Sequence, residues 1–241
     1  MVTKVLSRRL GLRASRSRRL GRHIEHDPRS RNYPASRAQL RSVLHKRHCP
    51  PFNQGNTNSC TGSAAAGLLM TTPWYRRGRL LTEGDALNLY ARATHLDHVR
   101  GSFPIEDTGS SGLAAMKAAQ QLGYVKGYGH AFGLQEALEA LVVGPVITGV
   151  SWYASFDKPK RSDGTITKAG HPSGGHEFLV IGLDVERQMV RACNSWGTDW
   201  GDSGYFQFSF EVWDQLLHLH GDVTTVLAAA TPRRTRVPAD D

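Results

Sequence analysis

A change of pattern at Gly144-Pro145 divides the chain into a helical first part and a strand-rich second part, and this division restricts the fold more than any other feature. Residues 60–71 hold Ala64, Ala65, Ala66, Leu68, Leu69 and Met70. They predict a helix apolar nearly all round, hence buried, with Asn58 or Ser59 to cap its start and Pro73 marking its end. Further helices are predicted over 83–94, over 112–121 ahead of Gly123, and over 134–141. Beyond Gly144-Pro145 the runs 146–152, 177–185, 189–194 and 205–210 are rich in β-branched and aromatic residues and separated by Gly and Asp turns. Helices first and strands later imply an α+β arrangement rather than alternating βαβ units, with a cleft between two lobes as the natural place for a site.

The net charge of +9 is unevenly spread. Residues 1–48 carry fourteen of the thirty Lys and Arg against Glu25 and Asp27, so the excess of positive charge belongs to an N-terminal arm. Its basic run includes Arg8, Arg9, Arg13, Arg16, Arg18, Arg19 and Arg22, with too few large apolar residues to offset chain entropy. We expect residues 1–31 to be mobile, or at most a docked arm. A solvated tail is the plain reading, and a nucleic acid held through phosphate contacts is the alternative. Neither a secretory apolar run nor a stretch long enough to span a membrane occurs, so a soluble, unexported protein is expected, of the cytoplasm or of a location the sequence leaves unknown; a monomer is the expected state. Three cysteines, Cys49, Cys60 and Cys193, exclude a dense disulfide framework.

Cys60 would sit at a helix N-terminus, where positive potential and unpaired N–H groups favour a thiolate. Gln54 lies six residues upstream across a glycine-bearing turn, so its amide could join the Cys60 N–H in an oxyanion hole. His176 opens a buried-looking strand after Ser173-Gly174-Gly175 and suits a general base, and Asn194 can orient its ring. His171 is the rival base. The pairs His95/His98 and His218/His220 have spacings that could seat a metal, yet no Cys or acidic cluster completes either set. No metal or organic cofactor is required by the chemistry these residues suggest.

The Gln54–Cys60 segment, together with the run Asn194-Ser195-Trp196-Gly197-Thr198-Asp199-Trp200-Gly201-Asp202-Ser203-Gly204-Tyr205, resembles the papain family of cysteine peptidases. The resemblance extends over about residues 45–210, and it points to the compact bacterial or bacteriophage branch, since a propeptide of about a hundred residues cannot fit before Cys49. It implies a two-lobed α+β fold, with a helical lobe at about 56–125, a β-barrel-like lobe at about 126–230, and the active-site cleft between them. Residues 231–241 would form a tail. By the same resemblance, Gly109, Ser110 and Ser111 belong to a strip that pairs substrate backbone. Gly144-Pro145-Val146 would enter the strand that helps wall the pocket for the second residue before the scissile bond, Gly149 would bind substrate, and Glu177 would line that pocket, favouring a basic or polar side chain. Trp196 would cover the His–Asn bond and Trp200 the leaving-group side. The expected function is a cysteine-type endopeptidase acting on peptide or protein substrates. The alternative is a non-catalytic peptide-binding or virion structural protein with a nucleic-acid-binding arm.

Overall fold

The computed structural model describes residues 19–229. Arg8, Arg9, Arg13, Arg16 and Arg18, and the tail at 231–241, lie outside the described residues. Among the described residues there are five α-helices: α1 (Cys60–Leu69), α2 (Glu83–Thr94), α3 (Gly112–Gln121), α4 (Leu134–Val143) and α5 (Phe210–His218). The strands are β1 (Val43–Leu44), β2 (Val125–Ala131), β3 (Val146–Tyr153), β4 (Pro172–Asp184), β5 (Met189–Cys193), β6 (Tyr205–Ser209) and β7 (Asp222–Ala229).

Local chemistry accounts for the sharpest helix boundaries. Thr82 accepts from the Asp85 N–H while the Asp85 side chain accepts from the Thr82 N–H, a capping box that starts α2. Ser111 accepts from the Ala114 N–H and starts α3. The expected side-chain cap on α1 is not made. Ser59 holds the N-cap position, but its hydroxyl bonds Thr57 Oγ1 at 2.7 Å, and Asn58 turns to Asp107. The first turn of α1 therefore keeps its N–H groups for whatever lies beside Cys60.

All strand pairings in the sheet are antiparallel, in the order β2-β7-β3-β4-β5-β6, with the short β1 added to β4. The sheet is open, which corrects the expected barrel-like lobe: β2 and β6 are its free ends, and they do not pair. The division at Gly144-Pro145 is also less complete than the sequence implies, because β2 precedes it and α5 follows it. One apolar core, around Trp152, Phe178, Phe206, Phe208 and Trp213, fills the strand side. A second, around Leu68, Met70, Leu89 and Met116, joins α1, α2 and α3 to the helix-facing side of β4. Where the two cores meet, α1 presents its N-terminus to β4. No helix among the described residues is long and apolar enough to cross a membrane.

Candidate active site

The fold links Gln54, Asn194 and His176 through hydrogen bonds and sets Cys60 against the residue after His176. Cys60 is the first residue of α1 and is fully buried, and the backbone N–H of Glu177 is directed at its sulfur, so the sulfur lies beside the residue that follows His176. His176 Nε2 lies 2.8 Å from Asn194 Oδ1, and the Ser195 N–H donates to the same oxygen at 2.7 Å. Because that oxygen already accepts from a backbone N–H, the ring nitrogen facing it carries the proton. Nδ1 is then the basic nitrogen, and it makes no hydrogen bond. Trp196 lies 4.9 Å from the imidazole, centroid to centroid, and Trp152 meets the ring edge-on at 4.8 Å. His171 is exposed in the loop before β4, away from this cluster.

Gln54 is anchored through Oε1, which accepts from Ser195 Oγ at 2.6 Å, leaving Nε2 to donate. One Nε2 bond goes to the Thr57 carbonyl at 2.7 Å and the other to the Arg19 carbonyl at 3.3 Å. Thus Ser195, quoted in the sequence only as part of a motif, ties Gln54 to Asn194. A second relay fixes the opposite wall: Tyr90 Oη donates to Asp107 at 2.6 Å and accepts from the Gly109 N–H at 2.9 Å.

The arm runs through this cleft. The Arg22 N–H donates to the Gly175 carbonyl at 2.9 Å, the His23 N–H to the Ser110 carbonyl at 2.7 Å, and the Ser110 N–H to the Gly21 carbonyl at 2.8 Å. Both bridges, Gly21 with Gly175 and Arg22 with Ser110, are parallel. Glu25 accepts from Ser111 Oγ and lies 3.7 Å from Lys117 Nζ. The Gly21 N–H points at the Cys60 sulfur. Space there is so short that a Cβ on residue 21 would overlap the Asn58 carbonyl, its carbon at 2.7 Å. Gly149 lies opposite Glu177 in the β3–β4 register. Trp200 is buried among Trp152, Trp196 and Phe206, its indole N–H donating to the Asp157 carbonyl at 3.0 Å. Among the described residues no group of three or more His, Cys, Asp or Glu is placed to hold a metal.

Residues 54–215 match the family model "Papain family cysteine protease". The chain belongs to the papain family. A gut-specific cysteine proteinase of Caenorhabditis elegans is 39% identical over 66 residues, which cover 27% of this chain and 20% of that relative, so the match spans about a fifth of the relative's length. Xylellain, a cysteine protease from Xylella fastidiosa, superposes with a TM-score of 0.69 at 17% identity, over 90% of this chain and 99% of that one. Digestive procathepsin L 3 from the larval midgut of Tenebrio molitor gives 0.62 at 16% identity, over 87% and 75%. These two likenesses show the fold.

In this cleft burial favours the neutral forms of Cys60 and His176. Burial pushes the Cys60 thiol up to about 12, against the opposing pull of the Glu177, Gly21 and Thr61 N–H groups. Burial also lowers the His176 imidazole to about 4, although its bond to Asn194 works the other way. The unfolded chain therefore takes up a proton at His176 below about pH 6.5 that the folded chain refuses until about pH 4. That stability is present above about 6.5 and is lost as pH falls toward 4, by about 3 kcal/mol in all. Urea unfolding of His176→Gln against the parent should show a pH slope shallower by about 1.4 kcal/mol per unit in this window. Equal slopes would show that the imidazole titrates alike in both states.

Proposed function

We propose that this chain is a cysteine-type endopeptidase, with Cys60 as nucleophile, and that residues 19–25 hold it latent. The observation that carries the reading is the His176–Asn194 pair on a strand whose next residue, Glu177, directs its N–H at the Cys60 sulfur at the head of α1. With the arm out of the cleft, water and substrate reach the pair, and the Nδ1 lone pair takes the thiol proton. The thiolate then attacks a peptide carbonyl, while Gln54 Nε2 and the Cys60 N–H hold the developing oxyanion. The imidazolium passes its proton to the leaving amine as the C–N bond breaks. The neutral ring next activates water, which attacks the thioester and frees the acid and the thiol. Asn194 keeps the imidazole in the tautomer and orientation that both steps need.

The arm supports both halves of the proposal. Its residues on both sides of Gly21 are bound, Arg19 by Gln54 and Arg22 and His23 by the Gly175 and Ser110 carbonyls, so the cleft holds chain before and after the residue at the sulfur, as cleavage within a chain requires. Facing the sulfur is the Gly21 N–H, a donor rather than an electrophilic carbonyl, so the arm occupies the cleft without being attacked.

The test uses Gln54→Ala on a full-length Gly21→Val chain, where the arm has no room to dock. Loss of an oxyanion donor costs roughly 100- to 1,000-fold in kcat. A drop of that size on a broad peptide library supports the reading. Unchanged kcat, or no hydrolysis by the Gly21→Val parent, would overturn it.

A further inference from the structure

Behind the strip that Ser110 forms, a closed pocket receives the Arg22 side chain, whose relative exposure is only 1%. Two carboxylates line it: Glu177, fully buried on β4, and Asp222 at the start of β7. Arg22 Nη2 donates to Asp222 Oδ2 and, at 2.7 Å, to the His220 carbonyl. Room for the guanidinium comes from two glycines. A Cβ at Gly149 would stand 2.5 Å from Arg22 Nε, and one at Gly112 would stand 2.6 Å from Glu177 Oε1.

We propose that Glu177 and Asp222 select substrates with a basic side chain, arginine above all, at the second residue before the bond cleaved. The inference rests on the cysteine-peptidase reading and names its substrate class. Gly21 lies against the Cys60 sulfur, so the residue that fills the pocket is the neighbour of the residue at the sulfur. In a cleaved peptide, with its carbonyl at the sulfur, that neighbour is the second residue before the bond. The arm's parallel pairing reverses the backbone but leaves the same side-chain position.

Two facts make the pocket a cation site rather than an apolar one. Both Glu177 oxygens and Asp222 Oδ1 are buried and accept no hydrogen bond even with Arg22 in place, so acceptors are to spare for a guanidinium arriving on another backbone path. A leucine there would leave these buried oxygens with neither a donor nor a cation beside them, which is costly for buried polar groups. A cation in the pocket is what draws Glu177 toward its charged form. Burial and the Asp222 charge raise the Glu177 carboxyl well above the usual range, with Arg22 pulling it down. Burial opposes the Arg22 charge, yet Asp222 and Glu177 more than offset it. This is how arginine is held in closed, acid-lined sites.

Two measurements decide the matter. On the Gly21→Val chain, fluorogenic dipeptides differing only at that second position, arginine or leucine, should differ at least about tenfold in kcat/KM in favour of arginine. Glu177→Gln and Asp222→Asn should each lower that ratio about tenfold. A preference for leucine, or a ratio indifferent to both substitutions, would overturn the proposal. If neither peptide is hydrolysed, it is the peptidase reading that fails, and the pocket is judged by iodoacetamide labelling of Cys60 in the arm-docked protein. Arg22→Lys should keep Cys60 protected while Arg22→Leu labels at least about ten times faster. Equal rates would mean that the pocket does not discriminate charge.

Discussion

Cys60→Ala on the Gly21→Val chain is expected to lose peptide turnover by a factor on the order of 10⁴ to 10⁶, because the nucleophile of an acyl-transfer site acts as a unit with its base. The loss should come without loss of fold. Alanine is the best helix former, Cys60 is the first residue of α1, and the thiol makes no contact that a small apolar residue cannot replace except with the catalytic groups and the arm. The other thiols cannot stand in. Cys193 is buried, its thiol pushed up to about 11 by that burial. Cys49 is half-buried, and burial raises it too, despite the nearby Arg47. Epoxide labelling mapped by mass spectrometry should mark Cys60 in the parent and leave the variant essentially unmarked over the same interval. Turnover surviving in Cys60→Ala would remove this residue from the mechanism.

Legibility in the sequence followed the range of the interactions involved. Helices α2 and α3 were legible from local pattern, the apolar Leu87, Leu89 and Tyr90 in one and the alanine-rich run ended by Gly123 in the other, and the caps at Thr82 and Ser111 that fix their starts act within three positions. Strand β2 was hidden: Gly127 and Gly129 interrupt its apolar alternation, and its partner β7 lies about a hundred residues on. The same is true within the site. Gln54, Cys60, His176 and Asn194 stand in segments with their own local patterns, whereas Asp222 becomes visible only when β7 pairs with β3 and sets it near Glu177. The arm's docking could not be read from its own residues. Its charge run reads as a solvated segment, and what docks it is complementary charge on Asp222, 200 residues away, with backbone groups of Ser110 and Gly175.

Gly21→Val should expose Cys60, raising its rate of alkylation by iodoacetamide at neutral pH about a hundredfold. The arm and the cleft meet backbone to backbone at Gly21, Gly109 and Gly175, and residue 21 has least room. A valine there cannot be absorbed by its neighbour. Asn58 donates its N–H to both Asp107 carboxylate oxygens, at 3.0 and 3.1 Å, and its Nδ2 to the Asp107 carbonyl at 2.6 Å. Asp107 is pinned in turn by Tyr90 at 2.6 Å. Overpacking against a wall that does not give costs about 3 kcal/mol, and only the docked arm pays it, which shifts the open population roughly a hundredfold. Ile24→Val, at a half-exposed side chain on the same arm, supplies the control and should leave the rate unchanged. If a folded Gly21→Val protein reacts as slowly as its parent, burial of Cys60 has a source other than residues 19–25. If it reacts fast but hydrolyses nothing, the arm is a cover and the chemistry beneath it is not peptide cleavage. Only fast labelling joined to new turnover fits an arm that keeps a working thiol out of reach.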